Sequence, residues 1–83
     1  MPSPSVPQRR YGKFEVWVYT RNERGHRPHV HVFVGGGKIV IFIEGGIEVR
    51  SIVGMSKADA SKALETVTEH VEELLALWRE YNG

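Results

Sequence analysis

Aliphatic and aromatic core-type positions alternate with polar and amphipathic ones over Lys13–Thr20. Phe14, Val16 and Val18 fall on one side, Glu15, Trp17 and Tyr19 on the other. A period of two in β-branched and aromatic residues predicts a strand. Residues 21–27 are polar and charged and predict a loop. Alternation resumes over His29–Val34, with Val30, Val32 and Val34 opposite His29, His31 and Phe33. Gly35-Gly36-Gly37 interrupts it with residues suited to a tight hairpin. Lys38–Glu44, almost continuously apolar, is the third predicted strand. Gly45-Gly46 predicts a two-residue primed turn, and Ile47–Ile52 a fourth strand.

The period then changes. Ser56, with Asp59 three residues on, resembles a capping box. Beyond it Ala60, Ala63, Leu64, Val67, Val71, Leu74, Leu75 and Trp78 recur at helical spacing, while Glu65, Glu69, Glu72, Glu73 and Arg79 lie away from the stripe. This predicts a single helix of roughly 25 residues reaching Tyr81, with Asn82-Gly83 as its stop. The expected architecture is α+β: a four-stranded antiparallel meander with one long C-terminal helix across one face. Residues 1–12 read as an N-terminal arm and 13–83 as one domain. The predicted core is Phe14, Val16, Val18, Val30, Val32, Val34, Ile39, Ile41, Ile43, Ile47 and Val49. Trp17, Tyr19, His29, His31, Phe33, Val40 and Phe42 then project from the opposite face, and an apolar patch of that kind marks a binding surface.

Eighty-three residues make one domain with a marginal core, so a partner that shares apolar surface is expected. The absence of cysteine excludes disulfides, thiol catalysis and cysteine zinc sites. No apolar run is long enough to span a bilayer, and the Pro/Ser-rich start carries no signal-peptide segment, so a cytoplasmic protein away from membranes is expected. The net charge of +1 conceals an asymmetry. Residues 1–38 hold seven Lys or Arg against two Glu, and residues 39–83 hold four against eight Asp or Glu. The basic half draws phosphate or an acidic partner, unless the two halves neutralise each other in the fold.

Three of the four histidines lie in His26-Arg27-Pro28-His29-Val30-His31. Strand alternation directs His29 and His31 to one face, and imidazole serves both proton transfer and metal ligation. Four readings follow. As a metal site, His29 and His31 would need a third ligand from His26, Glu15 or Glu44, at no recognisable ligand spacing; no cofactor is otherwise expected. As an acid–base site for metal-independent RNA cleavage, His29, His31 and His26 would move protons, with Arg24, Arg27 and Lys38 near phosphate. As an RNA-binding surface, Trp17, Tyr19, Phe33 and Phe42 would stack bases beside Arg9, Arg10, Arg21, Arg24 and Arg27. As a homo-oligomer or protein-partner interface, the same aromatics would be covered and the histidines would make ordinary hydrogen bonds.

The chain resembles the small bacterial and archaeal domain of unknown function 4160. The resemblance runs nearly end to end, from the Met1-Pro2 start and Tyr11-Gly12 through Pro28-His29-Val30-His31-Val32 and Ile43-Glu44-Gly45-Gly46 to Leu74-Leu75-Ala76-Leu77-Trp78. The family pattern is a histidine followed by Pro-Pro-His-x-His. Here Arg27 stands for the first proline and His26 lies one position nearer the run, so His29 and His31 are the pair that carries over. The resemblance implies no established activity. It implies a place beside another small domain in a toxin–antitoxin-like gene pair, and with it a small protein or RNA partner.

Overall fold

The computed structural model describes residues 8–18 and 27–82. Tyr19, Arg24 and His26, along with the first seven residues, lie outside the described residues. Five strands and two helices follow in chain order: β1 (Gln8–Tyr11), β2 (Phe14–Trp17), β3 (His29–Val34), β4 (Gly37–Phe42), β5 (Glu48–Val53), α1 (Lys57–Glu69) and α2 (Val71–Asn82). The strands form one antiparallel sheet in the order β1-β2-β3-β4-β5. No described helix is long and apolar enough to cross a membrane.

The predicted core is largely correct. Phe14, Val16, Val18, Val30, Val32, Ile39, Ile41 and Ile43 are buried against Ala60, Ala63, Val67, Leu74, Leu77 and Trp78, while Val34, Ile47 and Val49 are only partly buried. Pairing places Val16, Val32, Ile39 and Ile52 in one inner row, and Val30, Ile41 and Val49 in another. Paired antiparallel residues share a face, so the alternation seen in each strand becomes one continuous apolar layer.

Two expectations need correction. The sheet has five strands, because four residues of the expected arm form β1. Tyr11 pairs with Phe14 and Gln8 with Trp17 across the turn at Gly12-Lys13. Gln-Arg-Arg-Tyr carries no apolar alternation, so nothing local marks it as a strand; pairing with β2 decides it. The expected single helix is also two. His70 caps α1 in a non-helical conformation (φ −115°, ψ 20°), its N–H shared between the carbonyls of Thr66 and Val67. Thr66 and Thr68 donate hydroxyl hydrogen bonds back to the carbonyls of Lys62 and Leu64. Such back-bonding, within the β-branched run Thr66-Val67-Thr68, weakens a helix at that point. The break puts Glu72 and Glu73 in the first turn of a new helix, where the dipole favours acidic side chains.

At the start of α1 the Ser56 hydroxyl accepts from the Asp59 N–H at 3.1 Å, as expected. The Asp59 carboxylate turns instead to Lys13 Nζ at 2.7 Å, which ties the β1–β2 turn to the helix. The Gly45-Gly46 segment is longer than the expected two-residue turn, since β4 ends at Phe42 and β5 begins at Glu48; both glycines keep positive φ (77° and 108°). Gly37 is required for another reason: a Cβ there would run into the Gly54 carbonyl oxygen, so only glycine lets the two turns approach.

Candidate functional site

Strand pairing assembles the outer face in cross-strand rows. One runs Gln8, Trp17, His31, Val40, Ser51; the next runs Arg10, Glu15, Phe33, Lys38, Val53; a shorter one holds His29, Phe42 and Glu48. The predicted residues Trp17, His29, His31, Phe33 and Phe42 are thus brought together. Their exposure differs from expectation, however. Trp17, His31, Phe33 and Phe42 are half-buried, and Val40 and His29 are 4% and 3% exposed. Trp17 stands edge-on to Phe33 with centroids 5.6 Å apart. The widely exposed apolar side chains are Val53, at the edge of this face, with Ile52 and Tyr81 away from it.

His29 departs most from the expected open surface. Its ring lies 4.9 Å from Trp78 of α2, 5.3 Å from His31 and 6.3 Å from Phe42. Nδ1 is 2.9 Å from the Arg27 carbonyl oxygen. A carbonyl only accepts, so Nδ1–H donates to it. His29 therefore packs the end of the sheet against α2.

The pKa of His31 is lowered to about 4, chiefly because burial disfavours its charged form, and further by His29, Lys38 and Arg50. At neutral pH it is an uncharged imidazole, a weak base with no acidic proton to give. Cleavage of a ribose phosphate by paired histidines needs an acid as well as a base, and His31 does not supply the acid.

Arg27 was expected near substrate phosphate. Its guanidinium lies 4.4 Å over the Phe42 ring, pairs through Nη1 with Glu48 at 2.8 Å, and donates through Nε to the Glu44 carbonyl at 3.0 Å. These contacts make it a brace between the start of β3 and the β4–β5 loop, with its donors turned to the protein. The candidate metal carboxylates are likewise engaged by cations: Glu15 accepts from Arg10 and from Trp17 Nε1, and Glu44 accepts from Arg79. Among the described residues no group of three His, Asp or Glu side chains gathers to hold a metal.

A polar cluster absent from the sequence reading forms on the inner side at β1. The Tyr11 hydroxyl donates to Glu73 at 2.7 Å, Arg9 pairs with the same carboxylate at 3.4 Å, and His70 stacks on Tyr11 with centroids 4.0 Å apart. Burial, followed by the Glu73 hydrogen bond and charge, raises the Tyr11 pKa well above the usual phenol value. The Tyr11 hydroxyl, with help from Arg9, holds Glu73 below the usual carboxylate range. The partners are 62 residues apart in sequence, and no local spacing announces them.

The profile of the family described as Domain of unknown function (DUF4160) matches residues 13–79. The chain belongs to that family. In DUF4160 terms the match spans β2 through most of α2, with β1 N-terminal to it. No curated protein and no solved structure matches the chain.

Proposed function

We propose that this DUF4160 domain is a protein-interaction module, partnering another copy or the small protein encoded beside it in a toxin–antitoxin-like pair. The observation that carries this reading is the β5 edge. Ile52 and Val53 are 47% and 61% exposed on the last strand of the sheet, and among the described residues no strand pairs beyond it. An apolar edge with open backbone donors and acceptors is a template for strand addition. The outer aromatic face supports the reading less, because its own side chains half-bury one another.

The test is titration of the adjoining gene's product against the wild type and Ile52→Lys, followed by calorimetry. Loss of at least tenfold in affinity with Ile52→Lys is expected; equal affinity would overturn the use of this edge. RNA binding is a second reading, favoured by a shallow depression of about 430 Å³ lined by Arg10, Lys13, Glu15, Trp17, Phe33, Val34 and Gly35. Aromatic rings beside cations suit stacked bases and phosphate. Binding that weakens with salt and is lost in Trp17→Ala would support it.

A further inference from the structure

The two edges of the sheet are not equivalent. β1 carries Arg9 and Arg10, and Arg9 is tied to Glu73; charged residues on a short strand discourage pairing. β5 carries Glu48 and Arg50 in its first half, but its C-terminal half, Ser51-Ile52-Val53, is uncharged and exposed. A molecule with one open and one guarded edge joins edge to like edge, which closes as a two-fold dimer; joining β5 to β1 would propagate into a fibre.

Resting on the protein-interaction reading, we infer that β5 pairs antiparallel with β5 of a second copy, giving a ten-stranded sheet with the helices of both copies on one side. The bulge between Val40 and Ile41 sets the register. It makes Val40 pair with Ser51 but Ile41 with Val49, leaving Arg50 as the extra residue. Val49 and Ile52, three apart in sequence, therefore both face inward, while Glu48, Ser51 and Val53 face outward. A two-fold axis between Arg50 and Ser51 is the register that pairs all six residues and keeps every pair on one face. Val49 meets the other copy's Ile52, extending the apolar inner layer across the axis, and Glu48 meets Val53. The Arg50 guanidinium groups flank the axis and are the like-charge contact of the interface.

Six paired residues on each side make a small interface, so the dimer forms with a dissociation constant on the order of 10 μM. Sedimentation equilibrium should show the monomer mass at low concentration and twice that mass at high concentration. In this cysteine-free chain, Ser51→Cys sets the two cysteine Cα atoms diagonally across the axis, roughly 6 Å apart on strands about 4.8 Å apart, within disulfide reach. Glu48→Cys places them at opposite ends. Mild oxidation is expected to link Ser51→Cys and leave Glu48→Cys monomeric on non-reducing gels. Val53→Asp, which sets a carboxylate opposite Glu48, should weaken the dimer about tenfold, and Arg50→Ser should tighten it about threefold. Circular dichroism verifies that each variant folds. A monomer at every concentration, equal cross-linking of both cysteine variants, or Val53→Asp dimerising as the wild type would overturn the proposal. Loss of the adjoining gene product's binding in Ile52→Lys, with the wild type strictly monomeric, would overturn the dimer while leaving the protein-interaction reading intact.

Discussion

The two ends of the sheet are held by different physics. At β1 a polar strand is fastened to the helices by side chains far apart in sequence: Tyr11 and Arg9 to Glu73, and Lys13 to Asp59. At β5 the strand is fixed on its inner side by ladder pairing with β4 and apolar contact, and its C-terminal half is exposed. A polar latch orders its strand through side chains on the inner face. An apolar edge is ordered from one side and stays competent to add a strand. This difference is the ground for our proposal that the β5 end is the interaction surface.

The sharpest way to break the comparison is at the turn beneath β5. Gly37→Ala drives a methyl group into the Gly54 carbonyl, at a cost of about 3 kcal/mol of stability. Thermal unfolding should show the drop, and hydrogen exchange should show β5 losing protection before β1. If β1 opens first, the β5 end is not the separately held unit described above.

The centre of the sheet titrates through His31, whose pKa is lowered chiefly by burial and further by His29, Lys38 and Arg50. The folded pKa, about 4, lies below the unfolded value of 6.5. The unfolded chain therefore binds more protons between these values, and stability is full above pH 6.5 and falls as pH drops toward 4. After allowance for partial exposure the loss is about 1–2 kcal/mol. Denaturant unfolding at pH 7 and pH 4.5 should show it in the wild type and a smaller loss in His31→Gln; equal losses would refute the assignment.

The β1 latch predicts a smaller effect. Tyr11→Phe removes the hydrogen bond to Glu73 and should cost about 1 kcal/mol at neutral pH, read as a shift in the urea midpoint. Glu73 has a depressed folded pKa. Its contribution is present above the unfolded carboxylate value and is lost as pH falls through the folded one. The Tyr11→Phe penalty should therefore shrink in acid; an unchanged penalty would mean that the carboxylate is not the partner that matters. Ile52→Lys should change monomer stability least, by no more than about 0.5 kcal/mol, while abolishing pairing at the edge. A large loss of stability would show that Ile52 serves the monomer's core instead.

The period-two and period-3.6 patterns were enough to read the antiparallel sheet, the helical C-terminus, the Ser56 cap and nearly all core positions, because burial on one face leaves its mark in each segment separately. β1 escaped that reading, as its residues alternate in nothing; the break at His70 did too, since the apolar stripe runs through it without interruption. The candidate site was legible only in part. Alternation placed His29, His31, Phe33, Trp17 and Phe42 on one face; strand pairing keeps them in its rows, but the His29 ring is buried against Trp78 of α2 rather than projecting away from the helices. Their burial, the turn of Arg27 toward Phe42 and Glu48, and the contact of His29 with Trp78 depend on residues far along the chain.

By itself, the order of residues determined which side chains could be sheltered together, since period and polarity are local properties of the backbone they ride on. Only the tertiary structure decided which sheltered groups touch, which carboxylate each cation meets and which strand is left at an edge. Those outcomes depend on distances between segments that no single stretch encodes.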